Sequence, residues 1–411
     1  MKIEVAYGPS AIEAEIPNKN LIGILEPKTL PKLIDEEKSI VGAIESRLSF
    51  AIPRRNGKIA IVVDDHTRGV PTRKILLPIL RKLESEGVRD YNISIIFACG
   101  IHRQVRPDEA EGILGIDLLE RYEVVSHNAK SSDLVYIGTT QSFGNKVSIN
   151  RQYFEADYKI ITGDVELHYY AGYGGGRKSI LPGISSEMSV QKNHSMLFHP
   201  NARIGNLENN PVHIDMTEGA RFARPNLAIN VVKDAGGRIA GTFAGDMEDV
   251  LFDGSKLVDR LYKVPIRRKA DIVIVGGGGY DLDFYQAYKA IHTALFAVKE
   301  GGKIIVAAEC KDGHGNELFY DWIQRYNRKE DAEKALKEKF VLGGHKAWLI
   351  LEALSKVKIF LVTEMQEPLV KKMRVDYAPS LQETINEQIR SNPKAFVYVM
   401  PRGGRTLPVM V

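Results

Sequence analysis

The chain contains only two cysteines, Cys99 and Cys310, in 411 residues. Two cysteines cannot build a disulfide framework or a cysteine-based zinc site. The sequence also has no run of about 18 uninterrupted apolar residues, and its first residues lack the apolar segment of a signal peptide. These absences predict a protein with no membrane partner that works in the reducing cytoplasm.

Neither sign of charge is in large excess. The 56 basic and 52 acidic residues give a formal net charge of +4, and no long cationic run occurs. This balance argues against nucleic acid as the main partner and is compatible with an anionic small molecule. Apolar residues make up 44% of the chain, as in globular proteins, and the length predicts two domains.

Several short apolar runs rich in β-branched residues end in glycine, an acid or histidine. These runs cover residues 59–63, 93–98, 158–162, 272–275 and 303–308. Continuous apolar runs indicate strands buried on both faces, as in parallel sheets. The first eight residues instead alternate, which predicts an edge or hairpin strand.

Helical periodicity lies between the strand-like runs. It covers residues 73–86, 285–299 and 345–357. Pro78 interrupts the first pattern, Gly87 is expected to follow that helix, and Gly301 with Gly302 is expected to close the second. Strands that alternate with helices predict a doubly wound α/β architecture.

The predicted fold is therefore two α/β domains with mostly parallel sheets flanked by helices, and an active site in the interdomain cleft. A short basic linker at 264–270 places the boundary. Residues 1–266 are expected to form the first domain, to which 393–411 return, and 267–392 the second. Ligands of α/β sheets bind beyond the carboxyl ends of strands, where Asp65, Arg68 and His102 fall.

A glycine-rich segment spans residues 172–179. A phosphate-binding loop of the Walker type needs glycine immediately before its lysine, and here Arg177 precedes Lys178. The backbone amides of Gly174, Gly175 and Gly176 can still approach an anion closely, although a plain turn with a solvated lysine is the simpler alternative.

A second glycine run, at 276–279, follows a strand-like run. It lacks the third glycine of a dinucleotide fingerprint because Asp281 stands there, so a nicotinamide dehydrogenase is disfavoured. Gln286 and Lys289, three residues apart, share a helix face that could meet a carboxylate. An ordinary exposed helix face is the alternative.

Three of the ten histidines stand out by context: His102 at a strand end, His168 before the glycine loop, and His194 on a predicted helix. A neutral imidazole can act as a general base near pH 7 and is also a good nickel or zinc ligand. The chain contains no H-E-x-x-H pattern, which disfavours a zinc protease.

Together these motifs resemble one family, the nickel-pincer-dependent lactate racemases and related 2-hydroxyacid racemases. The similarity follows the family's order along the chain and rests on residues 65–68 (DHTR), 100–103 (GIHR), His168, 174–178 (GGGRK), 182–183 (PG), 193–194 (NH), 285–289 and 345–348 (HKAW).

The resemblance implies a role for each matching residue. Lys178 would hold the cofactor, a pyridinium-3-thioamide-5-thiocarboxylic acid mononucleotide, through a thioamide bond, and His194 would be the protein ligand to its nickel. His102 and His168 would be paired acid/base residues. The remaining matches are expected at the cofactor (Asp65, Thr67, Arg68, Gly174, Gly175, Gly176) and at the substrate (Arg68, Tyr285, Gln286, Lys289, Trp348).

The implied reaction is racemisation of a small 2-hydroxy acid. One histidine takes the hydroxyl proton while the C2 hydride moves to the cofactor, which leaves a planar 2-keto acid. Hydride return to the other face, with a proton from the second histidine, gives the opposite enantiomer. The cofactor also implies maturation enzymes as partners.

Lactate is the first expectation for the substrate. The same machinery could act on malate, phenyllactate, 2-hydroxyglutarate or an aldonate, because Tyr169, Tyr170 and Ala171 lie where family members vary and are expected to shape the pocket. A different class of protein, a non-catalytic anion-binding protein, would keep the glycine loop but has no use for two opposed histidines.

Overall fold

The structure is a computed structural model that describes residues 1–29, 35–48 and 57–411. The chain divides into two compact units. The central unit is Leu30–Asp259, and the terminal unit combines Met1–Thr29 with Arg260–Val411.

The chain begins with three strands of the terminal unit. Strands β1 (Lys2–Tyr7) and β2 (Ser10–Glu15) pair antiparallel, which confirms the predicted hairpin. Ile3 and Val5 alternate into the core while their neighbours face outward. Strand β3 (Leu21–Ile24) leaves the hairpin and joins the large sheet of the same unit.

The central unit alternates strands and helices for most of its length. Its elements are α1 (Glu36–Leu48), β4 (Ile59–Asp64), α2 (Thr72–Ser85), β5 (Ile93–Ala98), α3 (Pro107–Leu114), α4 (Ile116–Arg121), β6 (Glu123–Ser126), β7 (Leu134–Thr139), β8 (Lys146–Asn150), α5 (Arg151–Glu155), β9 (Tyr158–Asp164), β10 (Leu167–His168), β11 (Gly172–Tyr173), α6 (Glu187–His194), α7 (Pro211–Ala223), β12 (Leu227–Lys233), β13 (Ile239–Gly245) and α8 (Met247–Tyr262).

Its main sheet has six strands in the order β13-β12-β9-β4-β5-β6. All neighbours are parallel except β12 and β13. Alternate residues of β4 enter two different cores: Ile61 and Val63 pack on one face, and Ala60 and Val62 on the other. Burial on both faces is the reason for the continuous apolar runs.

The terminal unit continues the pattern after α8. Its elements are β14 (Lys263–Ile266), β15 (Ala270–Gly276), α9 (Phe284–Ala294), β16 (Val298–Ala307), α10 (Glu317–Arg325), α11 (Lys329–Glu338), α12 (Gly344–Leu354), β17 (Lys358–Val362), α13 (Glu367–Lys372), β18 (Asp376–Ala378), α14 (Leu381–Ser391), β19 (Val397–Met400) and β20 (Leu407–Met410). The sheet order is β18-β17-β16-β15-β19-β3, all parallel.

The structure corrects the predicted domain limits. Residues 1–29 belong with the later part of the chain, and 393–411 stay in that unit instead of returning to the first domain. The physical reason is strand β19, whose four residues are buried between β15 and β3. Asn20 adds a hydrogen bond from Nδ2 to the carbonyl of Ala395, 2.9 Å long.

The helix predictions were right in type and less accurate at the ends. Helix α2 confirms the first, with Pro78 buried inside it and Gly87 following at φ +82°. Helix α9 ends at Ala294, and Gly301 and Gly302 lie inside strand β16, so the predicted end at 299 was wrong. Across the described residues, no helix is both long and apolar enough to cross a membrane.

Candidate active site

Asp65 and His102 follow the neighbouring strands β4 and β5 and contact each other. Oδ2 of Asp65 lies 2.7 Å from Nδ1 of His102. Burial raises the pKa of Asp65, but the hydrogen bond and charge of His102 outweigh it and lower the pKa to about 2. The carboxylate can therefore only accept, so Nδ1 of His102 donates, and in the neutral form of the ring Nε2 carries the lone pair. His102 is thus arranged as a base.

Thr67 holds the other oxygen of the same carboxylate. Its backbone N–H and its hydroxyl donate to Oδ1 of Asp65 at 3.0 and 2.6 Å. Asp65 and Thr67 were predicted at the cofactor site, and the contacts that the structure gives them orient His102. A carboxylate with all these donors fixes the imidazole in one orientation.

His168 ends the short strand β10 and is almost completely buried. The backbone N–H of Ala171 donates to its Nδ1 at 3.2 Å, which places the proton of the neutral ring on Nε2. Its ring stacks on Tyr169 at 4.8 Å and meets the edge of Tyr170 at 4.6 Å. The two predicted acid/base histidines therefore carry opposite tautomers.

His194 is the last residue of α6 and is buried. Burial, followed by the positive charges of Lys178, His102 and Arg68, lowers its pKa to about 3. Asn193 Oδ1 accepts from Nδ1 at 3.1 Å, so the lone pair is on Nε2. A neutral imidazole fixed in this way is suited to bind a metal.

These electrostatic interactions also show which predicted residues converge. Arg68, His102 and Lys178 all act on His194, although they come from three separate segments of the central unit. In the described part of the chain, no group of three or more histidine, cysteine or acidic side chains is arranged to hold a metal ion.

The glycine loop differs from the predicted anion cradle. The amide of Gly174 donates to the carbonyl of Glu166 and that of Gly176 to Oδ1 of Asn230, each at 2.7 Å. A Cβ on Gly175 would lie 2.7 Å from the carbonyl oxygen of Asp164. Close backbone packing therefore requires Gly175 and Gly176, where an added Cβ would lie 2.7 and 2.9 Å from a carbonyl oxygen, and two of the three amides already have protein partners.

Arg68 lies in a group of acids that the sequence analysis missed. Its Nη1 is 3.8 Å from Oε1 of Glu166, and Asp164 pairs with Lys233 at 2.7 Å. Burial and the neighbouring carboxylates raise the pKa of Asp64 and of Asp164. The available signal was the acid at the end of each strand, which places both carboxylates at the ligand-binding edge of the sheet.

The other predicted substrate residues lie in the terminal unit. Tyr285, Gln286 and Lys289 are half-buried on α9, whose N-cap Asp283 accepts from the Gln286 amide at 2.7 Å. Nζ of Lys289 lies 4.1 Å from the ring centre of Tyr280. Trp348 is buried on α12. Gln286 and Lys289 thus share one helix face, as predicted.

Lys346 lies in the 345–348 segment of the family resemblance, but the sequence analysis gave it no role. It is 2% exposed, and its Nζ lies 4.8 Å from the ring centres of both Tyr285 and Tyr288. The signal was a lysine inside the mainly apolar helix α12. A buried ammonium over two rings gains cation–π stabilisation and restrains α9.

Two family models match the chain, the lactate racemase N-terminal domain over residues 7–205 and the lactate racemase C-terminal domain over 266–407. A lactate racemase of Thermoanaerobacterium thermosaccharolyticum is 35% identical, with 98% of this chain and 97% of the relative covered. A lactate racemase of Lactiplantibacillus plantarum is 36% identical, with 98% of both chains covered.

Comparison with solved structures gives the same family. The lactate racemase apoprotein of Thermoanaerobacterium thermosaccharolyticum superposes over 100% of both chains, with a TM-score of 0.91 and 33% identity. A Thermotoga maritima protein shares the fold, with a TM-score of 0.72 and 20% identity over 93% of this chain and 100% of that protein. Both halves of the chain match along nearly their whole length, and the chain is therefore an isomerase that belongs to the lactate racemase family.

Proposed function

We propose that this chain interconverts D- and L-lactate, or a closely similar short 2-hydroxy acid, with a nickel-pincer nucleotide attached to Lys178. The observation that carries the proposal is the convergence of Lys178, His102 and Arg68 on the neutral imidazole of His194. In this proposal the three side chains would supply a nucleophilic amine, a base and a carboxylate-binding cation near one potential metal ligand.

The donor set fits such a cofactor. His194 offers one lone pair on Nε2, and the described residues provide no further cluster of metal ligands beside it. A cofactor that brings a carbon and two sulfurs to nickel needs one protein ligand only. When bound, the cofactor would supply an acceptor and donor for the C2 hydride of the substrate.

The protein residues would handle the proton and the substrate charge. His102 would take the hydroxyl proton at Nε2, and the resulting cation would be stabilised by the Asp65 carboxylate. Arg68 would orient the substrate carboxylate. The substrate would then replace Glu166, whose Oε1 lies 3.8 Å from Nη1 of Arg68, as the ion-pair partner. We assign Gln286, Lys289, Tyr285 and Trp348 to substrate binding.

His168 would begin as a hydrogen-bond donor to the substrate. Its Nε2 carries a proton, and a second proton cannot be accepted at Nδ1 while Ala171 donates there. A role as the second acid therefore requires the Ala171 contact to open during the reaction. This asymmetry between His102 and His168 follows from their partners.

The test is a chiral assay on protein produced together with the cofactor-maturation enzymes, which we propose as partners. Each enantiomer of lactate, malate, phenyllactate, 2-hydroxyglutarate and an aldonate is incubated with nickel-loaded protein. We expect loss of optical purity with lactate, and no turnover by Lys178→Ala. Nickel-loaded protein that racemises none of these acids would contradict the proposal, and turnover of another acid alone would change the substrate.

A further inference from the structure

Arg177 is a fully buried cation beside the cofactor-lysine candidate. It is 1% exposed, and its guanidinium donates only to backbone carbonyls. Nη1 donates to Tyr173 at 2.9 Å and to Gly175 at 3.1 Å, and Nη2 donates to Ala171 at 2.9 Å. Nε is buried with no hydrogen-bond partner in the described part of the chain.

Placing an arginine here is costly. Burial lowers its pKa to about 9, and no neighbouring carboxylate opposes that change. A methionine would fill the same space without the cost of desolvating a charge. Arginine adds a rigid planar fork that can hold several oxygens in fixed directions, which a flexible ammonium or an apolar chain cannot do.

The three carbonyls belong to the segment between the catalytic candidates. Arg177 donates to the carbonyl of Ala171, and the N–H of the same residue, in the preceding peptide group, donates to Nδ1 of His168. Holding the carbonyl therefore acts on that N–H through the Ala171 Cα. The carbonyl of Gly175 accepts from the backbone N–H of Lys178 at 3.2 Å as well as from Arg177. One side chain therefore restrains the backbone on both sides of the loop.

We propose that Arg177 is a positioning residue that fixes the tautomer of His168 through Ala171 and the placement of Lys178 through Gly175. Without the fork, the Ala171 amide would no longer be held towards His168, and the ring could carry its proton on either nitrogen. The turn that carries Lys178 would lose a second restraint at the same time. The functional meaning of both effects rests on the proposed function, whereas the restraint itself exists without cofactor.

The variants are Arg177→Lys, which keeps the charge and loses the fork, and Arg177→Met, which keeps only the stem. Arg203→Met, at an exposed arginine of the same unit, is the control. The first measurement is ¹⁵N NMR of histidine-labelled, cofactor-free protein, with His168→Gln to identify the signal. We expect a pure Nε2–H tautomer in the wild-type and Arg203→Met proteins, and a mixture in Arg177→Lys.

The second measurement is the mass of the intact chain after production with the maturation enzymes. A displaced reactive group can lose about 100-fold in rate, so we expect the initial rate of adduct formation to fall about 10- to 100-fold in both Arg177 variants. The control should match wild type.

Either of two results would overturn the proposal: a wild-type His168 that carries its proton on Nδ1, or a folded Arg177→Lys protein with unchanged tautomer and unchanged adduct formation. Should the Arg177 variants fail to fold, a wild-type His168 with its proton on Nδ1 would still overturn the proposal. A wild-type chain that gains no adduct would instead count against the proposed function. In that case the role of Arg177 would be tested by the NMR comparison of the His168 tautomer alone.

Discussion

Asp65 accepts the Nδ1 proton of His102 at 2.7 Å, and this contact leaves the Nε2 lone pair of the neutral ring available for the proposed role as a base. His168 has the reverse arrangement, since its Nδ1 accepts from a backbone amide. The two histidines that resemble equivalent partners in sequence are therefore chemically different in the folded protein. The difference is set by their hydrogen-bond partners.

Replacing Asp65 by asparagine tests this difference. The amide can donate to Nδ1 of His102 and would then favour the wrong tautomer, so we expect kcat to fall by about 10² to 10⁴-fold. Nickel content should stay unchanged, because Asp65 orients His102 and is not a proposed nickel ligand. Thr67→Ser, which keeps both donors to the carboxylate, is the control and should retain activity. Normal kcat in Asp65→Asn would contradict the role of the pair.

Metal retention should depend on His194 and not on the acid/base residues. His194→Ala removes the one proposed protein ligand, and the described residues form no other cluster of three or more metal ligands, so bound nickel should fall to background. His102→Gln and His168→Gln should keep their nickel and lose racemisation. Elemental analysis after production with the maturation enzymes measures all three, and full nickel in His194→Ala would refute the assignment.

The glycine loop can be tested with two matched substitutions. Gly175 and Gly237 have φ angles of +84° and +83°, but an added Cβ lies 2.7 Å from the Asp164 carbonyl at Gly175 and meets nothing within 4 Å at Gly237. Gly237→Ala should cost about 1–2 kcal/mol of unfolding free energy for the conformation alone. Gly175→Ala should cost more, because ψ of Gly175 is 177°, in a region that is nearly restricted to glycine, and because the backbones must also separate. Equal costs in denaturant unfolding would mean that close packing does not select this glycine.

Acid should destabilise the protein through buried neutral histidines. His127 donates from Nε2 to the Ser185 carbonyl, and burial lowers its pKa to about 4. Between the unfolded pKa of about 6.5 and the folded value, only the unfolded chain binds this proton, so the unfolding free energy falls as pH falls. Each such histidine contributes about 1.4 kcal/mol per pH unit.

The measurement is urea unfolding followed by circular dichroism from pH 7 to pH 5. His127→Gln keeps a donor for Ser185 and removes the titrating group, so its stability should depend on pH less steeply than that of wild type. His199→Gln, at an exposed histidine, serves as the control. Identical slopes for His127→Gln and wild type would show that His127 does not contribute in this pH range.

Local sequence patterns predicted the α/β class of the fold and several of its strands. The apolar runs at 59–63 and 158–162 became β4 and β9 because strands buried on both faces need apolar residues at every position. The end of α9 could not be read locally, since residues 295–299 are compatible with a helix until β16 pairs with β15. Pairing over long sequence distances also decided the domain limits, through β3 and β19.

The sequence by itself selected the candidate residues for the chemistry: His102, His168, Lys178 and His194 were proposed from motif order and strand ends. Only the tertiary structure decided what each can do. The proton position on His102 depends on Asp65, that on His168 on the Ala171 amide, and the loop of Lys178 on the buried fork of Arg177. Hydrogen bonds and burial depend on neighbours brought together by folding, so no spacing along the chain could have revealed these states.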